Sequence, residues 1–338
     1  MSMLRVLCAR GEHTESEHLV SAAVVDSQGR LVACANDAER FTYWRSAAKP
    51  LQALPFIESG AMDAFSFNSE VLALACASHS SEARHLKIAA EVLAACGACE
   101  SDLACGAHPP ILGEGVSPQV IASHVWTPIS SNCSGKHAAM IAFAKHMGWP
   151  EAGYEEPEHP VQQAILDAIA RTTRMKRDEI KIAGDGCRAP TFYLPLRAMA
   201  AAWAQLGISD QTGFARLREA MWAHPDLVAG TGRSCTQMMA WSKKSLLVKI
   251  GAEGVYCAAM PRAGFGIALK IHSGDMRVAP VALAAILTQL DGRGPNDPNL
   301  KWLHEGDESQ RALTHPITRN TRSEPVGHWE VRGALSWI

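Results

Sequence analysis

The chain has 338 residues, enough to bury a large core as one domain or as two closely packed lobes. With 47% apolar and 20% charged residues, its composition is that of an ordinary globular protein. A net charge of -2, a pI near 6.7 and only 6% aromatic residues exclude a basic stripe or a base-stacking platform, so neither a nucleic-acid nor an anionic-membrane partner is expected.

Residues 1–11 carry no apolar run long enough for a signal peptide, and no stretch approaches a membrane span. The expected location is therefore cytoplasmic, and the ten cysteines are read as reduced thiols rather than a disulfide framework.

In chain order, residues 21–36 predict a hairpin turning at Asp26-Ser27-Gln28-Gly29. The serine and lysine of Arg45-Ser46-Ala47-Ala48-Lys49-Pro50 are placed one turn apart on one helix, followed by the stripe Leu51, Leu54, Ile57. Helical patterns then fill 71–77, 83–96, 134–147, 160–172, 194–206 and 214–222. A second hairpin spans 246–250 and 255–260, a strand follows at 265–271, and a helix at 278–290 tolerates Pro280 in its first turn. Residues 291–310 predict a loop, and 327–332 an edge strand. Strands at both ends with helices between them give an α+β class: an antiparallel sheet built from about 1–45 and 245–338, a central helical region at about 46–244, and one domain over 1–338.

A lysine amine beside a serine hydroxyl can take its proton and make an acyl-transfer nucleophile. Ser-x-x-Lys alone also describes an ordinary exposed helical turn. Lys249-Ile250-Gly251, on a strongly strand-like segment, adds weight: in Ser-Lys hydrolases of the penicillin-recognising type a strand lysine of a Lys-Thr-Gly element faces the nucleophile. Here the middle residue is Ile250, and no Ser-Asp-Asn is present.

Other motifs have plainer readings. Ser80 or Ser81 suits an N-cap for the helix that follows. Cys96-x-x-Cys99 with Cys105-x-x-His108 has a spacing that suits metal or redox chemistry, but Cys96 falls on an apolar helical stripe where cysteine is a small hydrophobe. Ser134-Gly135-Lys136 lacks the upstream glycine of a phosphate loop.

Six segments in order extend the argument: Arg45-Ser46-Ala47-Ala48-Lys49-Pro50, Cys76-Ala77-Ser78-His79-Ser80-Ser81-Glu82, Ser131-Asn132-Cys133-Ser134-Gly135-Lys136-His137, Asp185-Gly186-Cys187, His224-Pro225-Asp226-Leu227-Val228-Ala229-Gly230 and Val248-Lys249-Ile250-Gly251-Ala252. Together they resemble the class 3 L-asparaginases of the Rhizobium etli type, over about residues 20–335. The resemblance implies a serine-β-lactamase-like fold, a homodimer, and hydrolysis of L-asparagine to L-aspartate and ammonia. It implies Ser-Lys pairs at Ser46 with Lys49 and Ser78 with Lys249. It also implies an accessory zinc on Cys133, Lys136 and Cys187 that helps hold substrate, and pocket residues Arg45, His137 and Asp185.

As chemistry, Lys49 acts as a base only as a free amine, a state favoured by burial and a second cation, which Lys249 can supply. Asp185 suits the substrate's α-ammonium, and Arg45 or His137 its α-carboxylate. Spacing leaves open which of Ser46 and Ser78 is acylated. Glutaminase and β-lactam or peptide hydrolase activities share the layout, and a non-catalytic amino-acid sensor would keep the same pocket.

Overall fold

The structure is a computed structural model and describes residues 3–111, 125–291 and 298–338. Its chain divides into two compact units, one comprising Met1–Ala47, Leu194–Ile208 and Trp241–Ile338, the other Ala48–Tyr193 and Ser209–Ala240.

The first unit holds an antiparallel sheet made from both ends of the chain. Its strands are β1 (Arg5–Arg10), β2 (His13–Val25), β3 (Leu31–Ala35), β7 (Leu247–Gly251), β8 (Val255–Met260), β9 (Phe265–Ile271), β10 (Ile317–Arg319), β11 (Pro325–Arg332) and β12 (Ser336–Trp337), while the short β4 (Phe41–Tyr43) lies outside this sheet. The order is β10-β11-β1-β2-β9-β8-β7, with β3 on β2 and β12 on β3. The 21–36 hairpin forms as expected: the Asp26 carboxylate accepts from the N–H groups of Gln28 and Arg30 at 2.9 Å, and Gly29 takes a left-handed φ of 79°.

Strands β8 and β9 are buried along nearly their whole length, so both faces of the sheet are covered there, which is why they read as continuous apolar runs. The helix Leu196–Ile208 packs on β2, β8 and β9, and Val278–Asp291 packs on β1, β8, β9 and β11. Gly266 makes the first contact possible: a Cβ there would stand 2.1 Å from the Ala200 carbonyl oxygen.

Two expectations for this unit change. The 327–332 segment is not an edge, because β10 adds outside it and pairs Ile317 with His328. Within 291–310 the helices Trp302–Glu305 and Glu308–Thr314 form, the second capped by Asp307, while 292–297 lie outside the described residues. Polar composition marked the stretch as loop, but Asp307 with Gln310 makes a capping box that starts a helix there.

The second unit is helical, with Ser69–Ala75, Ala83–Ala95, Pro160–Thr173 and Thr212–Ala223 among its members and a hairpin of β5 (Lys181–Gly184) and β6 (Pro190–Pro195). The helix Ser134–Met147 runs through its core and is buried on every side from Ser134 to Ala144. Gly135 lets it lie against Ser69–Ala75, since a Cβ there would come 2.4 Å from Leu74 Cγ and 2.7 Å from the Leu74 oxygen. Packing therefore accounts for the glycine of Ser134-Gly135-Lys136.

Candidate active site

The chain enters this region through a 3-10 turn, Arg45–Ala48, followed by an α-helix, Lys49–Gln52. The single helix expected over Ser46 and Lys49 is thus divided. Pro50 has no N–H to give to the Ser46 carbonyl, so it opens the α-helix instead of continuing one.

In the helical unit, Lys49 is 1% exposed, and its Nζ meets three acceptors. Nζ lies 2.5 Å from the Ala77 oxygen, 3.0 Å from Ser78 Oγ and 3.1 Å from Cys133 Sγ. Ser78 sits in an irregular segment after the helix Ser69–Ala75. Its N–H donates to Val228 O at 3.1 Å, and its carbonyl accepts from the Arg233 guanidinium. The following helix is capped by Glu82 through a capping box with His85, not by Ser80 or Ser81. Those serines instead tie the segment down, Ser80 Oγ to Ala229 O at 3.2 Å and Ser81 Oγ to Ser130 O at 2.5 Å.

Cys133 precedes the core helix, placing Lys136 and His137 in that helix's first turn beside Cys187 of the β5–β6 turn. Lys136 Nζ is 3.1 Å from Cys187 Sγ. Of these two buried thiols, Cys187 is the one whose ionised form is favoured. A hydrogen bond from Cys133, against burial and aided by the Lys136 cation, holds Cys187 well below the ordinary thiol range. The same bond, with burial, drives Cys133 upward. Burial opposes charge on Lys136, but Cys187 and Cys133 outweigh it and raise its pKa.

His137 is fully buried. Tyr154 Oη accepts from the Ala104 N–H at 2.9 Å and donates to His137 Nδ1 at 2.6 Å, which leaves the imidazole proton on Nε2. That Nε2 makes no hydrogen bond of normal geometry. Burial lowers the His137 pKa, and the Cys187 sulfur offsets part of the effect. Asp185 is half-exposed, accepts from the Gly186 N–H at 2.8 Å, and lies close enough to Lys136 to favour its charge.

Among the described residues, no group of three His, Cys, Asp or Glu side chains is placed to hold a metal. Two sulfurs and the Lys136 amine do converge, with the His137 ring facing Cys187 beside them. Ligands at Zn–S of about 2.3 Å and Zn–N of about 2.0 Å on a tetrahedron stand roughly 3.5 Å apart, so the 3.1 Å contact must open only slightly. The donor set fits a soft divalent ion, at the cost of the Lys136 and Cys133 protons.

In the sheet unit, Arg45 and Ser46 are half-buried. Arg45 adopts a left-handed φ of 52°. Lys249 is fully buried on β7 opposite Cys257, and its Nζ donates to Ile250 O at 2.9 Å. Lys249 and Gly251 share one face of the strand by alternation, the face on which residues 44–47 lie. A Cβ on Gly251 would stand 3.0 Å from Trp44 O, 3.2 Å from Ala47 N and 3.3 Å from Arg45 Cβ. Two indoles hold this segment: Trp44 Nε1 donates to Cys257 Sγ and Trp203 Nε1 to Ala47 O, both at 3.3 Å.

The structure therefore brings Lys49, Ser78 and Cys133 together, gathers Lys136, His137, Asp185 and Cys187, and sets Arg45 and Ser46 on the strand of Lys249. Sequence reasoning missed Trp44, Tyr154, Trp203 and Arg233. Buried tryptophan and tyrosine with a polar atom to satisfy were the available signal. The Cys96–His108 spacing is structural: Cys96 Sγ donates to Leu93 O, Cys99 is exposed, and His108 accepts from the Asn132 N–H.

A comparison with curated proteins gave no match. Among solved structures, Mglu is similar at 15% identity and TM-score 0.45, covering 86% of this chain; this chain spans 66% of that one, just under two thirds. A β-lactamase from Mycobacterium bovis is similar at 11% identity and TM-score 0.37, covering 80% of this chain and 94% of its own. The family model of L-asparaginase II matches residues 6–331, and on that match the chain belongs to the L-asparaginase II family.

Proposed function

We propose that this amidohydrolase cuts the side-chain amide of L-asparagine through a seryl acyl-enzyme. The observation that carries the reading is Lys49, a buried amine in hydrogen-bonding contact with the Ser78 hydroxyl. Ser46 is the nucleophile and Lys49 its base, one 3-10 turn apart in the chain. Ser78 relays the proton, and Lys249 supplies the second cation. Attack on the amide carbon makes a tetrahedral oxyanion, held by backbone N–H groups of the turn that bears Ser46. The lysine proton passes to the departing ammonia, and water then releases aspartate.

In the same proposal, Arg45 or His137 receives the substrate's α-carboxylate and Asp185 its α-ammonium. Cys133, Lys136 and Cys187 would hold zinc, which supplies a Lewis-acidic anchor for substrate. A homodimer in the cytoplasm completes the reading. One methylene separates asparagine from glutamine, worth ~1–3 kcal/mol, so weak glutamine turnover is expected.

The test is ammonia release from L-asparagine and L-glutamine by the purified protein, with Ser46→Ala and Ser78→Ala alongside. Release from asparagine that is lost in Ser46→Ala supports the reading. No release from either amide overturns it and favours a sensor. Loss only in Ser78→Ala moves the nucleophile to Ser78.

A further inference from the structure

Two histidines that no part of this mechanism uses lie stacked beside the Ser78 segment. The rings of His79 and His85 are 5.0 Å apart and inclined by 12°. Both are almost wholly buried.

Their hydrogen bonds define their protons. The Ser81 N–H donates to His79 Nδ1 at 3.2 Å, so Nδ1 carries no proton and Nε2 donates to Ser134 Oγ at 2.9 Å. The Glu82 N–H donates to His85 Nδ1 at 3.0 Å, and His85 Nε2 donates to Asp226 O at 3.0 Å. Both rings are therefore neutral and of the same tautomer. The surroundings agree: burial lowers the His79 pKa, and His85, Lys49, His108 and Arg233 all oppose a positive charge there.

His79 also joins two chain segments. Its N–H donates to Asn132 O at 3.1 Å, while its ring reaches Ser134. One segment carries Ala77 O and Ser78 Oγ and the other carries Cys133, the three acceptors of Lys49. Ser81, held by His79 Nδ1, has a left-handed φ of 56°, which a serine adopts only when its surroundings require it.

We propose that His79 is a positioning residue: its neutral ring, protonated on Nε2, clasps the Ser78 segment to the Asn132–Ser134 turn and so sets the place of Ser78 relative to Lys49. It touches neither substrate nor reacting atoms, and its effect on turnover rests on the amidohydrolase reading above. Burial keeps the ring neutral, and the nearby Arg233 guanidinium acts in the same direction.

The experiment joins kinetics to a readout that does not need turnover. A shift of Ser78 by a fraction of an ångström should lower kcat by ~10-fold or more in His79→Ala and His79→Asn, with KM changed less than about threefold. His79→Gln, whose amide can reach Ser134, should keep most of kcat. Ser134→Ala should repeat the loss, and adding it to His79→Ala should cost little more. Ring nitrogen chemical shifts of His79 should report the neutral Nε2–H form from pH 8 to 5. A wild-type kcat retained in folded His79→Ala, a His79→Gln as impaired as the alanine variant, or an imidazolium at pH 6 would each overturn the proposal. Absence of turnover in the wild type would instead overturn the amidohydrolase reading, and the nitrogen spectra would still decide the state of His79.

Discussion

Gly251→Ala tests the placement of the nucleophile segment on β7. The new methyl would meet Trp44 O at 3.0 Å, Ala47 N at 3.2 Å and Arg45 Cβ at 3.3 Å, two of them backbone atoms that cannot turn aside. Trp44 and Trp203 pin the same segment by their indole nitrogens, so relief requires a shift of 44–47 against those bonds. Overpacking of this kind costs ~1–3 kcal/mol. With about 2.1 cal/mol/K of unfolding entropy per residue, the 338 residues supply ~0.7 kcal/mol/K, so Tm should fall by ~1.5–4 °C. Ser46 lies between the contacted residues, and displacement by a few tenths of an ångström should lower kcat for asparagine by ~10-fold. Gly184→Ala is the control, because a Cβ there meets only Arg188 O at 3.8 Å. Calorimetry and ammonia release read the two effects. A Gly251→Ala protein with unchanged Tm and unchanged kcat would refute the argument that residues 44–47 lie against this strand.

Lys49→Met keeps the bulk of the buried side chain but removes the amine that meets Ser78, and turnover should drop ~10²–10⁴-fold while circular dichroism shows an intact fold; turnover kept within tenfold would exclude Lys49 as the base. Chelation should raise KM for asparagine and leave kcat near its starting value, as expected for a metal that only helps hold substrate; collapse of kcat at saturating substrate would make that metal part of the hydrolytic step. Burial, and for His79 the neighbouring His85, hold both stacked imidazoles below their usual pKa, so below about pH 6.5 the unfolded chain binds protons that the folded one refuses. Stability should therefore be full above that pH and fall on going down to pH 5, by at most about 1.4 kcal/mol per pH unit for each histidine. A Tm that is flat between pH 7.5 and 5.5, or equally steep in His79→Gln, would contradict this.

What the sequence determined by itself was local. Apolar runs bounded by turn residues placed the 246–260 hairpin and the 265–271 strand, and helix-forming composition placed the 134–147 helix, close to their observed limits, because a strand or helix is selected by its own few turns. Ordered short motifs carried the family, since each needs only its own residues. The signal weakened where local chemistry had two outcomes. Pro50 divided a predicted helix, Glu82 took a cap that Ser80 or Ser81 suited equally well, and Asp307 started a helix inside a polar stretch.

Only the tertiary structure decided which distant groups meet. Lys49 and Ser78 are 29 residues apart in the chain, and Lys136 and Cys187 are 51 apart. Nothing in the spacing of either pair requires contact; closing those loops depends on how whole helices pack, as where Gly135 admits Leu74. Charge states follow from the same cause. A cysteine has one reference pKa in any sequence, but Cys187 beside Cys133 and Lys136 is held well below it, while Cys257, buried beneath Trp44, is pushed up to about 12.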